Sequence, residues 1–181
     1  MGVETERKFL VKSDAWRADA DAGTVMAQGY LADTERAVVR VRVAGSRGFL
    51  TVKGRNTGIS RAEYEYPIPA ADALQMLETL SCGGIVRKTR FRVASGAGLT
   101  WEIDVFEGEN AGLVTAEIEL PDEKTVFEKP AWLGAEVSGD ARYYNSNLAK
   151  SPYRTWSVRE DALLSKISFG KITRAHEVNG G

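Results

Sequence analysis

The charged residues of this chain fall in sets spaced two apart. Glu4, Glu6 and Lys8 alternate in ETERK. Arg40 and Arg42 follow, then Lys53, then Glu63 and Glu65. Lys88, Arg90 and Arg92 make a basic triplet, and Glu102 with Asp104 and Glu117 with Glu119 make two more acidic pairs. In a strand, residues i and i+2 point to one face, so each set presents its charges together. A single set of this kind is what the wet face of an antiparallel sheet shows. Segregation of sign by strand is less ordinary, because like charges side by side repel. Basic pairs suit phosphate oxygens. Carboxylate pairs suit a hard divalent cation, Mg2+ or Mn2+, held through oxygen. A metal–polyphosphate complex would satisfy both.

The elements that position these residues are read from hydropathy period. Two-residue alternation predicts strands over 3–11, 25–31, 37–45, 48–54, 60–68, 85–93, 99–106 and 112–120. The residues between the charges are largely apolar: Val39, Val41 and Val43, or Ile103 and Val105. Residues 45–48 (GSRG) read as a hairpin turn. Helical composition or spacing marks 12–21, 70–80, 122–129, 140–150 and 159–167, and the last residues, EVNGG, are expected to fray. About eight mostly consecutive strands with few helices predict an α+β fold, an antiparallel sheet curled or closed into a barrel. Alternation does not say which face lines the barrel. The segregated charges favour an inside-out arrangement, with a charged lumen and apolar outer positions under helices.

Bulk properties narrow the function. The chain has 181 residues, 43% hydrophobic and 27% charged, which is enough for one folded domain with an appendage. A net charge of −1 without a basic block gives no footprint for nucleic acid. The single cysteine, Cys82, excludes an internal disulfide and fits a cytoplasmic location; it reads as a buried or turn residue. The single histidine, His176, argues against Ser-His or Cys-His chemistry and against a His-ligated zinc. No signal peptide and no membrane-spanning run is expected.

In its ordered motifs the chain resembles the CYTH superfamily, the triphosphate tunnel metalloenzymes. The E-x-E-x-K of 4–8 is followed by QGYL at 28–31, R-x-R at 40–42, TVKG at 51–54 and E-x-E at 63–65. KTR at 88–90, E-x-D at 102–104, E-x-E at 117–119 and RYYNSNLA at 142–149 complete the series. The resemblance spans about residues 2–150 and implies an eight-stranded antiparallel β-barrel that binds triphosphates with a divalent metal. Residues 1–150 would form this tunnel domain. Residues 151–181 would be a helical extension packed on it, plugging one mouth, covering the outside or forming a homodimer.

Carried over by the resemblance, Lys8, Arg40, Arg42, Lys53, Lys88, Arg90 and Arg142 look like the phosphate-binding set. Glu4, Glu6, Glu117 and Glu119 look like the metal set. Glu63, Glu65, Glu102 and Asp104 look accessory: a second metal, water orientation or support of the basic groups. Arg92 is a weaker candidate. Tyr30 resembles the tyrosine that pairs with the motif lysine in short bacterial members, so Lys8, Tyr30 and Glu119 are the expected catalytic residues. Tyr144 stands at a slot that can be basic elsewhere in the family. The resemblance implies hydrolysis of inorganic triphosphate to pyrophosphate and phosphate. Class IV adenylate cyclase and thiamine triphosphatase activities rank lower, since no residues here are assignable to adenine or thiamine. A non-catalytic polyphosphate or nucleotide sensor is the rival of another class. The acidic pairs oppose it, because without metal they would repel the ligand. Neither nucleic acid nor a membrane is an expected partner.

Overall fold

The computed structural model describes residues 2–54, 59–96 and 98–156, with side chains from Thr5 onward. The strands are β1 (Gly2–Val11), β2 (Thr24–Asp33), β3 (Ala37–Ala44), β4 (Arg47–Gly54) and β5 (Ser60–Ile68). After helix α1 (Ala70–Leu80) come β6 (Val86–Ala94), β7 (Thr100–Phe106), β8 (Val114–Glu119) and β9 (Leu133–Glu136). Neighbouring strands run β5-β4-β3-β2-β6-β7-β8-β1, and β1 pairs back onto β5. Every pairing is antiparallel, and eight strands close into a barrel.

The hairpins follow from local chemistry. Between β3 and β4, Ala44 pairs with Arg47, leaving Gly45–Ser46 as a two-residue turn. Gly45 sits at φ +57°, the left-handed conformation such turns require. The ninth strand has no counterpart in the alternation pattern, because it is only four residues long. It repairs a defect in the wall. β5 pairs with β1 over Gly2–Thr5 and then diverges, and β9 takes over the same edge at Phe9 and Val11. The unpaired edge that would otherwise remain is thereby covered.

Apolar side chains lie on the outside of the barrel. One cluster gathers Phe9, Trp101, Ile103, Ala116, Ile118 and Leu120 from the wall, with Trp16, Trp132 and Leu133 packed over them. Trp16 comes from a 3-10 turn, Asp14–Asp19, shorter than the helix expected over 12–21. A second cluster is α1, whose Ala73 and Leu77 cover Val41. Fully burying a large apolar side chain contributes roughly 1.5–3 kcal/mol, so these covers stabilise the outer wall that the charged lumen cannot.

The helix expected over 122–129 does not form. After a turn, this stretch has no regular structure, and Phe127 reaches the cluster at 6.1 Å from the Phe9 ring and 5.6 Å from the Trp101 ring. Tertiary packing of one aromatic outweighs weak helical composition. The 140–150 helix is broken into a 3-10 turn, Ala141–Tyr143, and one α-turn, α2 (Asn145–Leu148). The helix expected over 159–167 lies outside the described residues. A third cluster joins Tyr30, Val86, Phe106 and Leu148, with Tyr143, Tyr153 and Trp156 packed against it. The last part of the described chain is thus bound to the barrel near Tyr30. Among the described residues no helix is long and apolar enough to cross a membrane.

Candidate active site

The barrel encloses a chamber of about 920 Å³. Because side chains alternate along each strand, one face of every doublet-bearing strand enters it. Its described lining includes Lys8, Arg40, Arg42, Arg47, Lys53, Arg61, Arg90 and Arg92, against Glu6, Glu63, Glu65, Glu102, Glu117 and Glu119. Cations outnumber acids among these lining groups, so the chamber as described favours an anion. Glu4 has its Cα in register with Arg61 on β5, but its side chain lies outside the described residues.

Most of these cations meet an acid from another strand, while Arg47 lies over the Phe49 ring at 4.9 Å. Lys8 Nζ lies 2.8 Å from Glu117 Oε1 and donates to the Tyr143 carbonyl at 3.1 Å. Arg90 donates to Glu117 at 2.8 Å, to both oxygens of Asp104 at 2.6 and 2.7 Å, and to Glu102. On the opposite wall, Arg40 and Arg42 donate to Glu65 at 3.1 and 2.9 Å, and Thr51 donates to the same carboxylate. Lys53 lies 2.9 Å from Glu63.

The protonation states follow from these contacts. Burial would raise the Glu117 carboxyl, but Lys8 and Arg90 outweigh it and hold the group well below its ordinary range. Burial and then the neighbouring Arg40 guanidinium pull Arg42 down to about 10. That is the signature of cations crowded together in a desolvated space, which a polyanion relieves. Burial pushes the Tyr30 phenol up to about 12. Its hydroxyl accepts from Gln28 Nε2 at 2.9 Å, so Tyr30 stays a neutral hydroxyl with its own proton to donate.

Two expected phosphate ligands stand elsewhere. Lys88 is 1% exposed, is absent from the lining, and gives its ammonium to Asp104. Burial, then Arg90, pull it down to about 8. Lys88 and Asp104 share the strand face of Arg90 and Glu102 but are fully buried there, packed against Arg90 and out of the chamber lining. Arg142 turns to Asp140 at 2.6 Å and does not line the chamber; its neighbours Tyr144, Asn145 and Ser146 do. Arg61, by contrast, carried no assignment in the sequence. It lines the chamber 3.0 Å from Glu6. Its spacing in Arg61-x-Glu63-x-Glu65 was the available signal. Cys82 is exposed in the turn after α1, where its N–H donates to the Tyr30 carbonyl at 2.7 Å.

The carboxylates can be tested for a metal. Among the described residues no group of three or more His, Cys, Asp or Glu is placed to hold one. Glu6 and Glu119 are in direct register across β1 and β8, and both line the chamber. Opposed like charges are unfavourable without a cation between them. Mg2+ is commonly held by only one or two carboxylates together with substrate phosphates and water. The oxygen-only pair therefore fits a hard divalent ion completed by its ligand.

A closed antiparallel barrel with an ion-paired, cation-rich lumen defines a class of anion-binding tunnel proteins. The model of the CYTH domain family matches residues 2–147, and this chain belongs to the CYTH family. It is 52% identical over 156 residues to an inorganic triphosphatase of Acetivibrio thermocellus, covering 86% of this chain and 99% of that one. It is 38% identical over 153 residues to an inorganic triphosphatase of Nitrosomonas europaea, covering 82% and 98%. Among solved structures, the crystal structure of an inorganic triphosphatase superposes with a TM-score of 0.60 at 35% identity, over 83% of this chain and 97% of that chain.

Proposed function

We propose that this protein hydrolyses inorganic triphosphate to pyrophosphate and phosphate with a divalent cation, Mg2+ or Mn2+. The observation that carries the reading is the chamber itself. It combines a cationic surplus with an opposed carboxylate pair, Glu6 and Glu119, and so suits a metal-bound polyanion. The names of the two relatives support the choice of substrate, and the family is in general metal-dependent.

Phosphoryl transfer needs positioning and charge neutralisation more than covalent chemistry. Arg40, Arg42, Lys53 and Arg90 would hold the phosphate chain and offset charge on the leaving oxygens. Asp104 and Lys88 would fix Arg90 in place. Lys8 would meet a phosphate group beside Tyr30, whose neutral hydroxyl donates a hydrogen bond rather than removing a proton. Glu6 and Glu119, with Glu4, would hold the metal. Glu117, occupied by Lys8 and Arg90, would orient those cations. A bound divalent ion would supply further charge for the phosphate oxygens and acidify water.

The test is release of phosphate from tripolyphosphate, ATP and thiamine triphosphate, each with and without metal. Metal-dependent phosphate from tripolyphosphate in preference to the others is expected. Tight binding with no turnover of any of the three would instead make the protein a sensor. Glu119→Gln should lower turnover by about 100-fold or more, the scale of losing one group that stabilises transition-state charge, with an unchanged melting temperature. Near-normal turnover would remove Glu119 from the mechanism.

A further inference from the structure

Arg61 stands on the inner face of β5 beside Glu63 and Glu65, the one base in a row with two acids. Its Nη2 lies 3.0 Å from Glu6 Oε1, although the two residues are 55 apart in sequence. Glu6 is also the residue in register with Glu119. The guanidinium therefore rests on one member of the carboxylate pair best suited to a divalent cation. Arg61 and Glu6 also line a small hollow of about 20 Å³, where β5 leaves β1 and Lys8, Ile59, Ser138 and Tyr144 complete the wall. A space of that size holds about one water. The Arg61 side chain is 21% exposed, so its head has somewhere to go.

A divalent ion on Glu6 would carry the same sign as Arg61 and draw on the same carboxylate oxygens. Like charges at that range repel, and a carboxylate oxygen already coordinated is a weaker acceptor. The displaced fork would remain inside a chamber that then holds phosphate, for which a guanidinium is well shaped. We propose that Arg61 exchanges partners: it occupies Glu6 in the metal-free protein and turns to a phosphate group when metal takes Glu6. This rests on the metal and triphosphate reading above. Arg61 is then a competitor of the metal alone and a ligand of the metal-bound substrate. Metal and triphosphate binding become coupled through one side chain, and the coupling is reciprocal.

The prediction has opposite signs for two affinities, which a merely structural role would not produce. Binding of Mn2+ alone is measured by calorimetry or by loss of its paramagnetic signal. Binding of imidotriphosphate, which resists hydrolysis, is measured in saturating Mn2+. Arg61→Gln should bind Mn2+ alone more tightly and Mn2+–imidotriphosphate more weakly, each by roughly 5-fold or more, the lower end of ordinary site coupling. Arg61→Lys, which keeps the charge and loses the fork, should fall between. Unchanged or weaker Mn2+ binding in Arg61→Gln overturns the exchange. So does unchanged affinity for the analogue, or absence of Mn2+ binding by the unsubstituted protein. Circular dichroism of each variant checks the fold. If tripolyphosphate is hydrolysed while Arg61→Gln leaves both affinities unchanged, the exchange fails and the proposed function stands. If no triphosphate is hydrolysed, the proposed function fails independently of Arg61.

Discussion

Neighbours in sequence can have unrelated work, and Arg7 with Lys8 shows it. Lys8 is 6% exposed inside the barrel, bound to Glu117 and to the Tyr143 carbonyl. Arg7 points the other way, 3.7 Å from Glu136 and over the Phe127 ring at 5.8 Å. A partly exposed ion pair contributes about 0–1 kcal/mol, so Arg7→Ala should lower the melting temperature slightly and leave phosphate release unchanged. Lys8→Ala removes a cation from the chamber, and turnover should fall by about 100-fold or more, the scale of one lost charge-stabilising donor. Parallel assays of the two variants check this, and equal activities would refute it. The side on which each of these residues lies is readable from the strand period alone. The partner of Lys8 is not, because Glu117 and Glu119 are indistinguishable by pattern and only register decides between them.

At the scale of elements, the interesting join is between β2 and the end of α1. β2 shifts register between Tyr30 and Ala32, and the Tyr30 carbonyl is taken by the Cys82 N–H at 2.7 Å. The approach is close: a Cβ on Gly29 would sit 2.2 Å from Ser81 Oγ and 3.0 Å from Leu77 Cδ2. Gly29→Ala should therefore cost about 1–3 kcal/mol, as overpacking does, and displace Tyr30. Adding Ser81→Gly should restore most of the melting temperature, because the nearest obstacle is that hydroxyl. A double variant no more stable than Gly29→Ala would show that the strain lies elsewhere. The strands were legible because alternation is a local property. β9 was not, since four residues carry too little pattern. The segment 122–129 misled because Phe127 is claimed by a cluster distant in sequence.

For the whole molecule, the ion-paired lumen makes stability depend on acid. Burial would raise Glu117, Asp104 and Glu65, but the neighbouring cations win and hold all three below their ordinary values of 4.5, 3.8 and 4.5. A carboxylate with a depressed folded pKa takes up its proton in the unfolded chain first. Its contribution is thus fully present above the ordinary value and is lost as pH falls through the folded one. Denaturant unfolding from pH 7 downward should show stability falling once pH drops below about 4.5. Glu117→Gln should be less stable at pH 7 yet fall less steeply in acid. An equal slope in both would remove Glu117 from the acid response. None of this was legible from net charge, which is near zero and silent about pairing.

Side-chain direction along a strand is set by local backbone geometry. The sequence by itself therefore determined the eight barrel strands, the charge rows and the separation of those rows from the apolar ones. The segregated charges also favoured the charged side as the lumen, and tertiary structure fixed it by covering the other side, Trp101 under Trp132 and Val41 under α1. It also sorted the cations. Lys88 was buried against Asp104, Arg142 turned to Asp140, and Arg61 came to Glu6. The physical reason is that ion pairing depends on distance after barrel closure, and closure joins residues that no local period relates.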